Sequence, residues 1–175
     1  MQLSGEHIFL RPVEKEDVHK LILWENNPKH WKVSGTEVPF SMSAMLDYIE
    51  QAQHIRSHGQ LRLLIGDQET KRMLGAVDLY NADFKNRRAA IGILIAEETD
   101  RQHGYASEAL ALVEQYARDI LAFHNVYCSI QDDNTASVKL FERAGFEFIG
   151  RRKEWYLVGH NWLDELLYQK CLRKD

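Results

Sequence analysis

The feature that most constrains the fold is a nearly unbroken apolar segment at residues 89–96, which reads Ala-Ala-Ile-Gly-Ile-Leu-Ile-Ala. A short apolar run without polar alternation is typical of a strand that is covered on both faces of a sheet. Gly92 within the run indicates a bulge or a close approach by another backbone. Apolar residues at helical spacing then fill residues 104–120. The sequence therefore predicts a central strand that is followed by a long amphipathic helix.

The rest of the chain alternates between helical and strand-like patterns. Helices are predicted at residues 16–25, from Ser41 or Ser43 onward, and at 134–144, where Gly145 ends the last one. Strands are predicted at residues 7–11, 61–65, 73–80, 125–130, 146–149, 154–158 and 163–172. Residues 31–40 are predicted to form a loop. This order predicts an α+β fold, with a mixed sheet, helices on both faces and a single domain over residues 1–175.

The composition narrows the function classes. Hydrophobic residues make up 45% of the chain and charged residues 27%, a balance typical of globular proteins. The net charge of -4 argues against a nucleic-acid partner, because no basic excess is present to bind phosphate backbones. No signal peptide and no apolar stretch of ~20 residues is visible, so we expect a cytoplasmic protein without a membrane partner. Cys128 and Cys171 lie in apolar segments and are expected to be buried, with neither a disulfide nor a metal site.

A small-residue turn, residues 101–107, connects the central strand to the long helix. The first turn of a helix has free backbone N–H groups and partial positive charge, so it suits an anion. Gly104 lets a ligand approach the backbone, and Arg101 adds a charged donor. A pyrophosphate fits such a site, although ordinary turn chemistry explains the glycine equally well. The segment lacks the Gly-Lys-Ser or Gly-Lys-Thr of a phosphate-binding loop and the spaced glycines of a dinucleotide site.

Two segments resemble the GNAT superfamily of N-acetyltransferases. Arg101-x-x-Gly104-x-Ala106 resembles the superfamily's coenzyme-A pyrophosphate loop, whose pattern is Gln/Arg-x-x-Gly-x-Gly/Ala. Residues 134–146, in which an Asn opens a helix that ends in Gly-Phe, resemble the second conserved block. The likeness extends over residues 8–168. Within the superfamily the chain is similar to spermidine N-acetyltransferases and to ribosomal-protein N-terminal acetyltransferases.

The resemblance implies a splayed sheet and a bound co-substrate. The splay would lie between the strands at residues 89–96 and 125–130, with acetyl-CoA entering the gap and no metal involved. The pantetheine arm would pair with the first strand, and the pyrophosphate would lie on the loop. The residues that the resemblance implies for the cofactor are Ile93, Leu94, Ile95, Arg101, Gln102, His103, Gly104, Tyr105, Ala106, Ser107, Asn134, Ser137 and Phe141.

The residues that usually handle protons in the superfamily are missing here. The general-acid Tyr of the second block is replaced by Phe141, and the Glu of the central strand by an apolar stretch. We therefore nominate Asp78 as the group that receives the amine's proton, directly or through water. Asn134, a backbone N–H or water is expected to stabilise the departing thiolate. The structural alternatives are a solvated sheet residue for Asp78 and a helix N-cap for Asn134.

The resemblance implies an enzyme in which an amine attacks acetyl-CoA directly. The expected acceptor is a small-molecule amine, such as the polyamine spermidine. The alternatives are the N-terminus of a ribosomal or other protein, and a non-catalytic acyl-CoA-binding domain. The sequence does not determine the oligomeric state, so a homo-oligomer remains an alternative to a monomer. The residues expected to bind the acceptor are Asn26, Trp31, Glu37, Asp78 and Tyr80.

Overall fold

One eight-stranded sheet organises the chain, in the order β1-β2-β3-β4-β5-β6-β8-β7. The computed structural model describes residues 3–172, apart from the side chain of Val33. The strands are β1 (Leu3–Ser4), β2 (Ile8–Pro12), β3 (Leu61–Asp67), β4 (Met73–Asp83), β5 (Arg88–Ile95), β6 (Asn125–Gln131), β7 (Glu147–Val158) and β8 (Asn161–Cys171). β5 is the apolar strand predicted from the sequence, and it lies inside the sheet between β4 and β6.

The sheet is mixed because β5 and β6 are parallel while every other neighbouring pair is antiparallel. The long helix that connects these two strands makes the parallel arrangement possible, since a parallel pair needs a crossover connection. The β5–β6 register covers only the pairs Arg88–Asn125, Ala89–Val126 and Ala90–Tyr127. Beyond them the two strands diverge. The expected splayed, mixed sheet is therefore confirmed.

Helices cover both faces of this sheet, as predicted. They are α1 (Val18–Glu25), α2 (Pro28–Ser34), α3 (Met42–Gln51), α4 (Ile55–His58), α5 (Tyr105–Asp119) and α6 (Thr135–Arg143). One core contains Leu110 of α5 and Phe141 of α6 together with Ile91 of β5. The core on the opposite face contains Leu21 of α1 and Met45 of α3. No helix within residues 3–172 is both long and apolar enough to cross a membrane.

The segment predicted as a loop at residues 31–40 is partly helical. The side chain of Asn27 accepts a hydrogen bond from the Lys29 N–H at 3.1 Å, and Pro28 occupies the first turn of α2. Proline is well suited to this position because its missing N–H would have no partner there. Gly35, with a left-handed φ of 68°, ends the helix. The Asn-Asn-Pro sequence that ends α1 therefore also starts α2.

The two cysteines differ from the expectation that both are buried. Cys128 on β6 is buried, as predicted, whereas Cys171 at the end of β8 is exposed. Both are free thiols. The Cys171 thiol lies 3.1 Å from the side-chain oxygen of Asn125 on the neighbouring strand.

Candidate active site

A cavity of about 120 Å³ opens where β5 and β6 diverge. Beyond the Ala90–Tyr127 pair, β5 stays paired with β4 and β6 stays paired with β8. The backbone edges that face each other across the gap are thus available to a ligand. The cavity is lined by Tyr80, Ile91, Gly92, Ile93, Cys128, Ser129, Ile130, Gln131, Asn134, Ser137, Phe141 and Tyr156. Ile93, Asn134, Ser137, Phe141 and Tyr80 were all predicted from the sequence as site residues.

The loop at residues 101–107 has the conformation that an anion site needs. Gly104 adopts a left-handed φ of 84°, and Gln102 also has a positive φ of 66°. Helix α5 begins at Tyr105, and no side chain caps its N-terminus. Its first N–H groups therefore remain available to a ligand, and the helix dipole adds partial positive charge. A Cβ on Gly104 would meet nothing within 4 Å, so the approach to this helix end is open.

Arginine contacts anchor the approach to this loop. Asp100 is buried immediately before it, and its two carboxylate oxygens accept hydrogen bonds of 2.7 and 2.6 Å from Arg72. These hydrogen bonds lower the pKa of Asp100, against the opposing effect of burial. The Arg101 guanidinium donates to the carbonyl oxygen of Ile95 at 3.4 Å. The loop is thereby held at the carboxyl end of β5, whose Ile93, Leu94 and Ile95 were predicted to pair with the pantetheine arm.

Asn134 serves as a helix cap and also lines the cavity. Its side-chain oxygen accepts a hydrogen bond from the Ser137 N–H at 3.2 Å and so caps α6. Phe141 also lines the cavity, is buried, and packs edge-to-face on Phe146 with ring centroids 4.9 Å apart. The cap role of Asn134 is thus observed, whereas its catalytic role stays a prediction.

Asp78 is held in an ion-pair cluster and does not line the cavity. Arg62 on the adjacent strand donates from Nε and Nη2 to the two carboxylate oxygens of Asp78, at 2.8 and 2.9 Å. The same guanidinium donates from Nη1 to Glu25 at 2.5 Å. Burial alone would lower the pKa of Arg62, but the charge and hydrogen bonds of Asp78 raise it overall. Because both oxygens of Asp78 bind Arg62, the geometry does not support the proton-acceptor role predicted from the sequence.

Most of the other predicted acceptor residues have structural partners. The Asn26 side chain donates to the backbone oxygen of Phe40 at 3.0 Å and accepts from its N–H at 2.7 Å. The Trp31 indole donates to a backbone oxygen at the end of α1, at 2.8 Å. Glu37 is exposed. Of the residues expected to bind the acceptor, Tyr80 is the one that lines the cavity, and burial raises its pKa to about 12.

Sequence reasoning missed a tyrosine–glutamate pair at the cavity. Tyr156 of β7 lines the cavity, and its hydroxyl donates to Oε1 of the buried Glu165 at 2.5 Å. Arg152 donates to the other carboxylate oxygen of Glu165. Burial, reinforced by this hydrogen bond and by the charge of Glu165, raises the pKa of Tyr156. The available signal was Glu165 next to the apolar Leu166 and Leu167 in a predicted strand, because a buried carboxylate requires a partner.

Strand β6 adds two further side chains that were not predicted for the site. Cys128 lies in the cavity wall, and burial raises the pKa of its thiol to about 12. The Gln131 amide nitrogen donates to the backbone oxygen of Lys32 at 2.7 Å. Its amide oxygen is buried and has no hydrogen-bond partner among the described residues. That oxygen can accept a hydrogen bond from a bound ligand.

The comparison with known protein families identifies the chain's family. The sequence model of the acetyltransferase (GNAT) domain matches residues 7–147. The chain belongs to the GNAT acetyltransferase family. The superfamily resemblance and the enzyme class expected from the sequence, an acyltransferase, are therefore confirmed.

Individual GNAT proteins are similar along most of their length. The spermidine N(1)-acetyltransferase of Vibrio cholerae serotype O1 is 26% identical over 163 residues, which cover 91% of this chain and 90% of the relative. A crystal structure of spermidine N-acetyltransferase from Vibrio cholerae in complex with CoA and spermine superposes with a TM-score of 0.86 at 21% identity, covering 96% and 97% of the two chains. A dodecameric structure of spermidine N-acetyltransferase from Vibrio cholerae gives a TM-score of 0.80 at 22% identity, covering 96% and 95%. These structures confirm the fold.

Proposed function

We propose that this GNAT protein transfers the acetyl group of acetyl-CoA to a primary amine. The observation that carries the proposal is the cavity between the diverging strands β5 and β6, with an uncapped helix N-terminus following β5. The pyrophosphate of acetyl-CoA would bind the loop at residues 101–107. The pantetheine arm would extend along Ile93, Leu94 and Ile95. The similar structure that contains CoA supports this assignment of the co-substrate.

We infer a direct attack without a covalent enzyme intermediate. A thioester is already activated, so aligning the amine with the carbonyl carbon supplies much of the rate. The nitrogen lone pair forms the new C–N bond, and the C–S bond breaks with its electron pair on sulfur. Cys128 is the thiol in the cavity wall, and its pKa of about 12 leaves it almost fully protonated near neutral pH. A protonated thiol is a poor nucleophile, which argues against an acetyl-cysteine intermediate.

The charges near the cavity suit an amine that carries positive charge. Glu25, Asp78 and Arg62 form a buried cluster of two carboxylates and one guanidinium, so one negative charge is left over. The free oxygen of Gln131 can accept an N–H from the ligand. The similar spermidine N-acetyltransferases make a polyamine the first acceptor to test. Since one of these similar proteins is a dodecamer, a homo-oligomer is proposed as well.

A thiol-release assay with four acceptors tests the proposal. We would compare spermidine, spermine, a monoamine and a short peptide with a free N-terminus, with the N-acetylated peptide as control. We expect acetyl-CoA at about 100 times its dissociation constant to stabilise the fold by about 2.7 kcal/mol and spermidine or spermine to release CoA fastest. Faster release by the free peptide would favour the N-terminal acetyltransferase. Binding without release by any amine would indicate an acyl-CoA-binding domain, and no binding would overturn the whole proposal.

A further inference from the structure

The hydrogen bond between Tyr156 and Glu165 places a carboxylate directly behind the cavity wall. Glu165 is only 3% exposed, and both of its oxygens are hydrogen-bonded, Oε1 to the Tyr156 hydroxyl and Oε2 to Arg152. The phenol is neutral and points its proton toward the carboxylate. Because its proton is directed at Glu165, the hydroxyl oxygen of the cavity-lining Tyr156 keeps its lone pairs for a further hydrogen bond.

The register of the last three strands explains this placement. Glu165 of β8 pairs with Gln131 of β6, which itself lines the cavity, so Glu165 lies one strand behind the cavity wall. Tyr156 of β7 pairs with Leu163, two residues from Glu165 along β8. The ring of Tyr156 therefore reaches the cavity while its hydroxyl reaches Glu165. Tyr80 comes near the pair from the other side of the splay, since the charge of Glu165 contributes to its raised pKa.

We propose that Tyr156 and Glu165 form a proton relay for the acetyl transfer, an assignment that rests on the proposed function. As the amine nitrogen bonds to the carbonyl carbon, its proton passes to the Tyr156 oxygen. At the same time the Tyr156 proton passes to Oε1 of Glu165, so that the phenol stays neutral. The C–S bond breaks, and the CoA thiolate takes a proton from water. Glu165 returns its proton to water, which restores the pair.

The other candidates near the cavity are less suited to accept the proton. Both oxygens of Asp78 are bound by Arg62, and Phe141 has no exchangeable proton. The Cys128 thiol is protonated and would have to lose its own proton first. Among the described residues that line the cavity, Tyr156 is the one with a carboxylate hydrogen-bonded to its hydroxyl. Tyr156 would be the catalytic residue, and Glu165 would act through it.

Steady-state kinetics on four variants tests the relay. Tyr156→Phe and Glu165→Gln should each lower kcat by about 10²-fold, the usual size of general acid–base catalysis, with KM for acetyl-CoA unchanged. The double variant should be no slower than the slower single variant, because the two residues act as one unit. Tyr168→Phe is the matched control. The Tyr168 hydroxyl donates to Glu142 at 3.0 Å, and Tyr168 does not line the cavity. This variant therefore loses the same kind of hydrogen bond and should keep the wild-type kcat.

Glu165→Gln separates proton transfer from a structural role. The glutamine oxygen can still accept the Tyr156 hydrogen bond, but it cannot take up the proton, and the glutamine NH2 replaces the oxygen that accepts from Arg152. A wild-type kcat in this variant would overturn the relay. Wild-type kcat in folded Tyr156→Phe would overturn it as well. A wild-type enzyme that binds acetyl-CoA but acetylates no amine would overturn the proposed function itself, and the relay with it.

Discussion

Gly104 offers a clean test of the pyrophosphate site, because the chain contains a matched glycine elsewhere. Gly104 has a φ of 84°, and Gly159, in the turn between β7 and β8, has a φ of 63°. A Cβ at either position would meet nothing within 4 Å. A Cβ at either glycine therefore brings left-handed strain without steric overlap. The two positions differ in that only Gly104 adjoins the N-terminus of α5.

The expected magnitudes follow from the left-handed backbone and from charge. Any side chain at either glycine should destabilise the fold by about 1–2 kcal/mol, the cost of left-handed backbone for an L-residue. For a chain of this length that lowers Tm by about 2–8 °C. A carboxylate about 4 Å from a phosphate charge costs about 1 kcal/mol in water and about 4 kcal/mol at a protein surface. With two phosphates, Gly104→Asp should weaken CoA binding by at least about 30-fold.

The assay is isothermal titration of CoA into Gly104→Ala, Gly104→Asp and Gly159→Asp, each checked for folding by thermal unfolding. The alanine variant measures strain alone, and Gly159→Asp measures a carboxylate away from the loop. We expect Gly159→Asp to bind CoA as the wild type does and Gly104→Asp to lose affinity beyond Gly104→Ala. Equal CoA affinity of the two Gly104 variants would refute a pyrophosphate at this helix end.

Two further predictions concern the approach to the loop and the second block. Since Arg72 lowers the pKa of Asp100, the unfolded chain binds the Asp100 proton more readily than the folded one. Asp100→Asn should therefore lower Tm by about 2–4 °C at pH 7, and the difference from wild type should shrink as pH falls below about 4 and disappear once pH passes the lowered folded pKa of Asp100; a constant difference would contradict the ion-pair account. Phe141→Tyr should change kcat by less than about tenfold, or about 1.4 kcal/mol, because the relay at Tyr156 does not use this position; a much larger gain in steady-state kinetics would contradict that.

The parts of the fold that depend on local patterns could be predicted from the sequence. Strand β5 was predicted from its unbroken apolar run. The structure buries both of its faces, as the neighbouring residues Ala90 and Ile91 show. The α5 and α6 helices follow from apolar spacing and from Gly145, which has a φ of 84°. Helix α2 was missed because a proline usually ends a helical pattern, and Pro28 follows the predicted helix at residues 16–25. The same residue is favourable in a first helical turn, and the choice depended on the Asn27 cap.

The candidate site also has parts that the sequence shows directly and parts that depend on strand pairing. The loop at residues 101–107 and the Asn134 cap are short continuous segments, so the sequence shows them directly. The partner of Asp78 depends on the register between β3 and β4, which pairs Arg62 with Asp78 across the hairpin. Arg62 had been included in a strand predicted from its apolar neighbours, and its charge was not used. The Tyr156–Glu165 pair likewise exists only after β7 and β8 have paired.

The irregular register of β7 explains why the proton relay can form at this edge of the sheet. Arg152 pairs with Glu165 and Tyr156 pairs with Leu163, so four steps along β7 match only two along β8. An even number of extra residues keeps Arg152 and Tyr156 on the same face of the sheet, and the contraction brings both within reach of Glu165. Asp164 fixes the irregularity, because its carboxylate accepts the Glu154 N–H at 2.8 Å. The sequence placed a gap between two short strands at this point, since its polar residues interrupt the strand pattern. The residues that concealed β7 in the sequence therefore bring the cavity-lining Tyr156 into hydrogen-bonding reach of Glu165.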